Sequence, residues 1–286
     1  MSIIGSNILA GASGQGGGGY TIENSLRLRS SASAYLSRTP ASAGNRRTWT
    51  WSGWVKVGAI GQWEGIFNAG SSGNQFAMYL YTDSTLYIQD YTGSNNIYLQ
   101  TSQVFRDPSA WYHIVFAVDT TQVTSTNRFK LYVNGSQVTS FVSTTYPSQN
   151  YDTQVNSTSY QNNIGVNYQF GTSNAKYFDG YMTEVNFIDG QALTPSDFGE
   201  YNAITGVWQP AKYTGTYGTN GFYLPFSDAT NTTTLVADSS GNGNDWTPNN
   251  ISLTAGVTYD SMTDTPTPYA DGGNYWTFNP LIPVTG

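Results

Sequence analysis

The chain of 286 residues holds four glutamates, Glu23, Glu64, Glu184 and Glu200, and their spacing decides whether it could cut a glycosidic bond. A retaining glycosidase needs two carboxyls about 5 Å apart. The tightest candidate, Glu184-Val-Asn-Phe-Ile-Asp189, sets its acids five residues apart, which a regular strand points to opposite faces. The single histidine, His113, lies in an alternating run, and no Gly-x-Ser-x-Gly elbow accompanies it. A core or sheet-face role is expected for it rather than a Ser-His-Asp triad. Gly14–Gly19 lacks the Lys-Ser/Thr and the helix of a phosphate loop, and the absence of cysteine removes thiolate chemistry and Cys-type zinc sites. No enzyme is expected.

Two binding chemistries stay open. Asp238, Asn242, Asn244 and Asp245 cluster oxygen atoms on a glycine-rich loop, which suits either a calcium ion or a tight turn built from local hydrogen bonds. No organic cofactor is expected; calcium is the one candidate. A glycan, or a protein partner, would need exposed aromatics with amides beside them. Tyr91 and Asn95 in the Asp90–Asn96 segment, and Tyr146, Tyr151 and Tyr160 in the long 144–163 loop, are the candidate contacts.

The elements that carry these residues read as strands. Aromatics make up 15% of the chain and charged residues 10%, against roughly 25% charged in an average soluble domain. Such a composition favours β-structure and starves helices. Trp111–Val118 and Arg128–Val133 alternate, and Asn134-Gly135 then marks a type I′ hairpin. Trp49, Trp51 and Val55 share one strand face, with Gly53 a candidate bulge that resets the phase at Trp54. Further short strands at 64–68, 75–81, 85–89, 162–166 and 177–188 indicate a two-sheet sandwich. Thr194, Pro195 and Asp197 read as N-cap, N1 and N3 of a one-turn helix. Phe222–Phe226 and Ile251–Leu253 read as strands that complete the sandwich. The five arginines at 27, 29, 38, 46 and 47 are read as solvated strand-edge charges rather than a phosphate site.

Trp111, His113, Asp119, Tyr132, Asn134 and Gly135 form a pattern that resembles the middle strands of the laminin-G-like, concanavalin A-type lectin/glucanase superfamily. Gly180, Glu184, Ala192, Leu193 and Asp197 resemble its closing element, and the two together span about 21–201. The resemblance implies an all-β, concanavalin A-like (laminin-G-like) jelly-roll sandwich with extended N- and C-terminal arms. It also implies that Glu184 is structural. The Glu-x-Asp-x-x-Glu run of the superfamily's glucanases is missing here.

The division expected is 1–19 as a glycine-rich anchoring arm carrying Ile3, Ile4, Ile8 and Leu9, 20–258 as the sandwich, with strands in 221–258 completing it, and 259–286 as an extended arm bearing Tyr275, Trp276 and Phe278. The segments IIGSNILAGASGQGGGGY, AYLSRTPASAGNRRTWTWSGWVK, DSSGNGNDW and NYWTFNPL resemble laminin-G-like virion proteins of tailed, particularly marine, phages. That resemblance implies a non-enzymatic structural protein on the exterior of the particle: a capsid decoration, head fibre or tail-associated fibre. Its expected partners are other virion proteins, further copies in a homotrimer, and a host-surface glycan. A net charge of −7 argues against nucleic acid, and no run of about 20 apolar residues argues for membrane insertion. The alternatives are a free carbohydrate-binding module or adhesin and, behind it, a polysaccharide depolymerase.

Overall fold

The computed structural model describes residues 20–267 other than 72, 169 and 170. In chain order the strands are β1 (Ser25–Leu28), β2 (Tyr35–Arg38), β3 (Thr48–Val57), β4 (Glu64–Ser71), β5 (Asn74–Leu80), β6 (Thr85–Thr92) and β7 (Asn95–Val104). They continue with β8 (Tyr112–Asp119), β9 (Phe129–Val133), β10 (Ser136–Gln137), β11 (Phe141–Thr145), β12 (Asn162–Ile164), β13 (Val166–Asn167), β14 (Lys176–Tyr177) and β15 (Gly180–Asp189). The last five are β16 (Gly199–Tyr201), β17 (Trp208–Pro210), β18 (Phe222–Leu224), β19 (Thr247–Asn249) and β20 (Ser261–Met262).

Two antiparallel sheets stack face to face. The first runs β10-β9-β8-β3-β15-β1-β20, with β18 also paired to β15; the second runs β11-β7-β6-β5-β4-β12-β2-β19. Their inner faces meet in an aromatic centre in which Trp49 packs on Phe76 and Phe116 at 5.3 and 5.4 Å between ring centroids. Trp51, Phe67, Phe187 and Phe222 are also fully buried there. Burial of this kind is the main favourable term, at roughly 25 cal/mol per Å² of apolar surface.

Several sequence expectations change in detail. Gly53 does not reset the phase of β3, whose pairing with β8 is unbroken from Thr48 to Val55. Trp49, Trp51 and Val55 face the core while Trp54 stacks on His113 at 4.9 Å on the outer face. Gly53 instead makes room for the Trp51 indole, which a Cβ would approach to 2.8 Å. The bulge lies in the facing strand, between Thr183 and Asn186, with Glu184 at φ +52°. Near the C-terminal end the strand is Thr247–Asn249, not 251–253, because it pairs with β2 and the chain turns away after Asn250. Ser261–Met262 then pairs with β1, so the first sheet continues past the boundary placed at 258.

The arginines are ties rather than free edge charges. Arg27 and Arg29 both meet Asp260, whose side chain is wholly buried, at 3.2 and 2.7 Å. Arg38 reaches Asn244, Arg46 the Thr153 carbonyl, and Arg47 the Asp152 carboxylate. The Asn134-Gly135 turn has both φ values positive, as a type I′ turn requires. Thr194–Asp197 forms the expected capping box on a short 3-10 turn.

Candidate carbohydrate-binding face

Strand alternation puts Phe76, Met78, Ile88, Ile97 and Leu99 in the core and turns their neighbours to the outside of the second sheet. That outer face carries Gln75, Ala77 and Tyr79 on β5, Tyr87, Gln89 and Tyr91 on β6, and Tyr98 and Gln100 on β7. Tyr79 pairs with Tyr87, Ala77 with Gln89 and Gln75 with Tyr91, while Gln89 also faces Tyr98. The rings touch in sequence. Tyr98 meets Tyr87 at 5.8 Å, Tyr87 stacks on Tyr79 at 5.2 Å, and Tyr79 meets Trp63 at 5.5 Å. Tyr81 lies against both Tyr87 and Trp63, and the Lys176 ammonium sits 5.7 Å from the Trp63 ring centre. Tyr79 and Tyr87 are buried, with half-buried Trp63, Tyr81 and Tyr98 packed against them. The rings run across the strands, from Tyr98 through Tyr87 and Tyr79 to Trp63, over about 15 Å at the spacing of neighbouring strands.

At its Trp63 end the track meets a cavity of about 430 Å³ lined by Ser30, Gln62, Trp63, Glu64, Lys176, Tyr177 and Asp179. Glu64 is 2% exposed, and its Oε2 has no hydrogen-bond partner among the described residues. Burial, and secondarily the Asp179 carboxylate, push the Glu64 carboxyl up to about 8. The Ser30 hydroxyl donates to Asp179 at 3.0 Å.

At the other end stand the residues singled out from sequence. Tyr91 and Asn95 flank the β6–β7 turn, where Asn95 accepts from Gln89 Nε2 at 2.6 Å. Tyr146 follows β11, which pairs with the start of β7, and Tyr160 precedes Gln161, whose carbonyl accepts from Gly70 N. The structure therefore gathers all five at one rim of the second sheet. Two of them serve the fold: Tyr146 packs on the core margin, and the Tyr151 hydroxyl donates to buried Asp90 at 2.6 Å. Burial raises the Asp90 carboxyl to about 6. Trp63, Tyr79, Tyr81, Tyr87 and Tyr98 were missed, although their alternation with core residues in the 75–81 and 85–89 strands was a readable signal.

The Asp238 loop is a turn, which corrects the calcium candidate. The Asp238 carboxylate accepts from the backbone amides of Tyr223, Ser240 and Asn244, and Asp245 accepts from Asp238 N. Asn242 and Asn244 donate to the carbonyls of Gly218, Thr219 and Gly221, and Arg38 occupies the Asn244 oxygen. The oxygens a calcium ion would need are thus spent on the loop, with a cation already beside them, and the donor set does not fit the ion. Ile3, Ile4, Ile8, Leu9, Tyr275, Trp276 and Phe278 lie outside the described residues.

Neither acid of the 184–189 pair supports hydrolysis between them. Glu184 shares the outer face of the first sheet with Asn186 and accepts from the hydroxyls of Tyr20 and Tyr223. Asp189 serves the other side, taking the amides of Asn45 and Asn220 and the Asn156 side chain. Burial raises Glu184 to about 7 against those hydroxyl bonds.

Residues 30–197 match the family model described as concanavalin A-like lectin/glucanases superfamily, which is more than half of the chain. The chain belongs to that superfamily. Among solved structures, a candidate carbohydrate binding protein from Bacteroides ovatus is similar at TM-score 0.53 and 15% identity, over 80% of this chain and 59% of that one. At that identity the likeness concerns the fold. A heptameric SAP-like pentraxin from Limulus polyphemus gives 0.44 and 18% over 60% of this chain and 78% of its own. The CBM40 of Ruminococcus gnavus IT-sialidase, bound to α2,3-sialyllactose, gives 0.40 and 12% over 57% and 91%. No match was found among curated proteins.

Proposed function

We propose that this protein is a non-catalytic, glycan-binding component of the exterior of a phage particle. The observation that carries the binding half is the aromatic patch in which half-buried Trp63, Tyr81 and Tyr98 pack on buried Tyr79 and Tyr87, with half-buried Gln100 beside it. Aromatic faces stack on the apolar faces of sugar rings, and side-chain amides exchange hydrogen bonds with their hydroxyls. Membership of a lectin-bearing superfamily agrees with it, although a fold alone hosts many activities.

The virion half rests on the sequence resemblance and on a polarity of the molecule. Ile22 and Thr267 are bonded side by side at the β20 edge of the first sheet. The ring track lies on the other sheet and towards its opposite edge. A body held at one edge would therefore present the track outward. Attachment to other capsid or tail proteins, and assembly as a homotrimer, belong to this proposal.

Two measurements test it. In affinity electrophoresis through host-surface polysaccharide, the protein is retarded, and Tyr81→Ala and Tyr98→Ala each weaken retention about tenfold while the fold survives. Equal retention by both variants would remove the track from the reading. Immunogold labelling of purified particles then separates a virion component from a free carbohydrate-binding module, which would leave particles unlabelled.

A further inference from the structure

We infer that the cavity at Trp63, Glu64, Lys176, Tyr177 and Asp179 is a second subsite that holds one neutral, hydroxylated sugar residue, with the Glu64 carboxyl donating a hydrogen bond to it. The inference rests on the glycan-binding reading and adds to it a location, a ligand charge and a pH response.

The chemistry of the lining selects the ligand. Glu64, which lines the cavity, is only 2% exposed, and its Oε2 has no partner among the described residues. A buried polar atom left unpaired costs free energy, so a group that supplies the missing bond binds with that cost relieved. Asp179 offers an acceptor, Lys176 a donor, and Gln62, Ser30 and Tyr177 offer both. Acid and base lie together here, so no net field favours a fully charged ligand. A polyol, which donates and accepts from neighbouring positions, uses the whole set. The cavity volume of about 430 Å³ admits a single pyranose. Its position at the Trp63 end of the ring track makes it the place where the end of a bound chain would be read.

The pH response follows from Glu64 as donor. Its carboxyl is pushed up to about 8, and the charged groups around it are Asp179 at the end of the first sheet and Lys176 on β14, with Tyr177 also on the cavity lining. A ligand bound to the protonated form keeps constant affinity below that value. Above it, affinity falls towards tenfold per pH unit, since only the protonated fraction is competent.

The test is saturation-transfer NMR titration of the full chain with glucose, galactose, mannose and rhamnose across about pH 6 to 10, a window centred on the Glu64 value. Glu64→Gln, which keeps an N–H donor, retains affinity within about threefold and loses the pH dependence; Glu64→Ala weakens binding about tenfold. Circular dichroism melts confirm that both variants fold. Binding that is independent of pH and unchanged in both variants, but lost in Tyr98→Ala, overturns the subsite and leaves the track intact. Binding that strengthens above the Glu64 value also overturns it, because the ionised carboxylate would then be accepting from the sugar instead of donating to it. Failure of all four sugars together with failure of polysaccharide retention overturns both readings.

Discussion

Trp208 Nε1 donates to His113 Nδ1 at 3.0 Å, and that single bond fixes the imidazole's chemistry. With Nδ1 accepting, the ring proton sits on Nε2 and is donated to Ser52 Oγ at 2.9 Å. A histidine that already donates to the serine cannot take its proton, so this buried Ser-His pair is no nucleophilic dyad.

His113 should therefore stay neutral across the physiological range. Burial lowers it to about 3, and long-range ¹H–¹⁵N spectra should show the Nε2–H form with no titration between pH 5 and 8. His113→Ala strands the Trp208 donor and the Ser52 acceptor and should cost about 2–4 kcal/mol by denaturant unfolding. A cost under about 0.5 kcal/mol would contradict the pairing.

Three buried acids make stability fall as pH rises. Glu64, Glu184 and Asp90 stand at about 8, 7 and 6 in the folded chain, against 4.5, 4.5 and 3.8 as ordinary values. Each group's folded value is raised, so its contribution is fully present below the ordinary value and is lost as pH climbs through the folded one. His113 acts in the opposite sense below about 6.5, but one group opposes three. The melting temperature should fall from pH 5 to 9, and Glu64→Gln should raise it at pH 9 while leaving pH 5 nearly unchanged.

Asp260 is the clasp of the C-terminal run. It receives Arg27, Arg29 and the Ser252 amide while fully buried. Asp260→Ala leaves two guanidinium groups facing an uncharged pocket and should cost about 3–5 kcal/mol. Hydrogen exchange at β20 should speed up before that of β3, and uniform acceleration would contradict a local clasp.

Gly65 lets two segments touch. A Cβ there would collide with the backbone of Val166 and Asn167, which no rotamer change relieves. Gly65→Ala should cost about 1–3 kcal/mol and displace β13. Sugar binding at the Glu64 cavity should weaken with it, because β14, which lines that cavity, pairs with β13.

Alternation made the sandwich legible, since Trp49, Trp51 and Val55 announce one face of β3 whatever their neighbours do. The Asn134-Gly135 turn and the Thr194 cap were equally local. What stayed hidden was pairing at long range. Nothing in Arg27 or Arg29 points to a residue more than 230 positions away, so a buried clasp read as edge charge. Searching loops for exposed aromatics found the rim and overlooked the sheet face between, because Tyr79 and Tyr87 become a platform only once β5 and β6 are side by side. Glu64 is silent for the same reason: Lys176 and Asp179, which share its cavity, lie more than 100 positions further along the chain.

The side-by-side bonding of Ile22 and Thr267 has a mechanical meaning. A load pulling Ile22 and Thr267 away from each other would act first on their own bonds and then on the short β1–β20 pairing at the sheet's edge. Strands loaded in that way peel open bond by bond instead of shearing together. The long β3–β8 and β3–β15 ladders would carry none of that tension until the edge had opened.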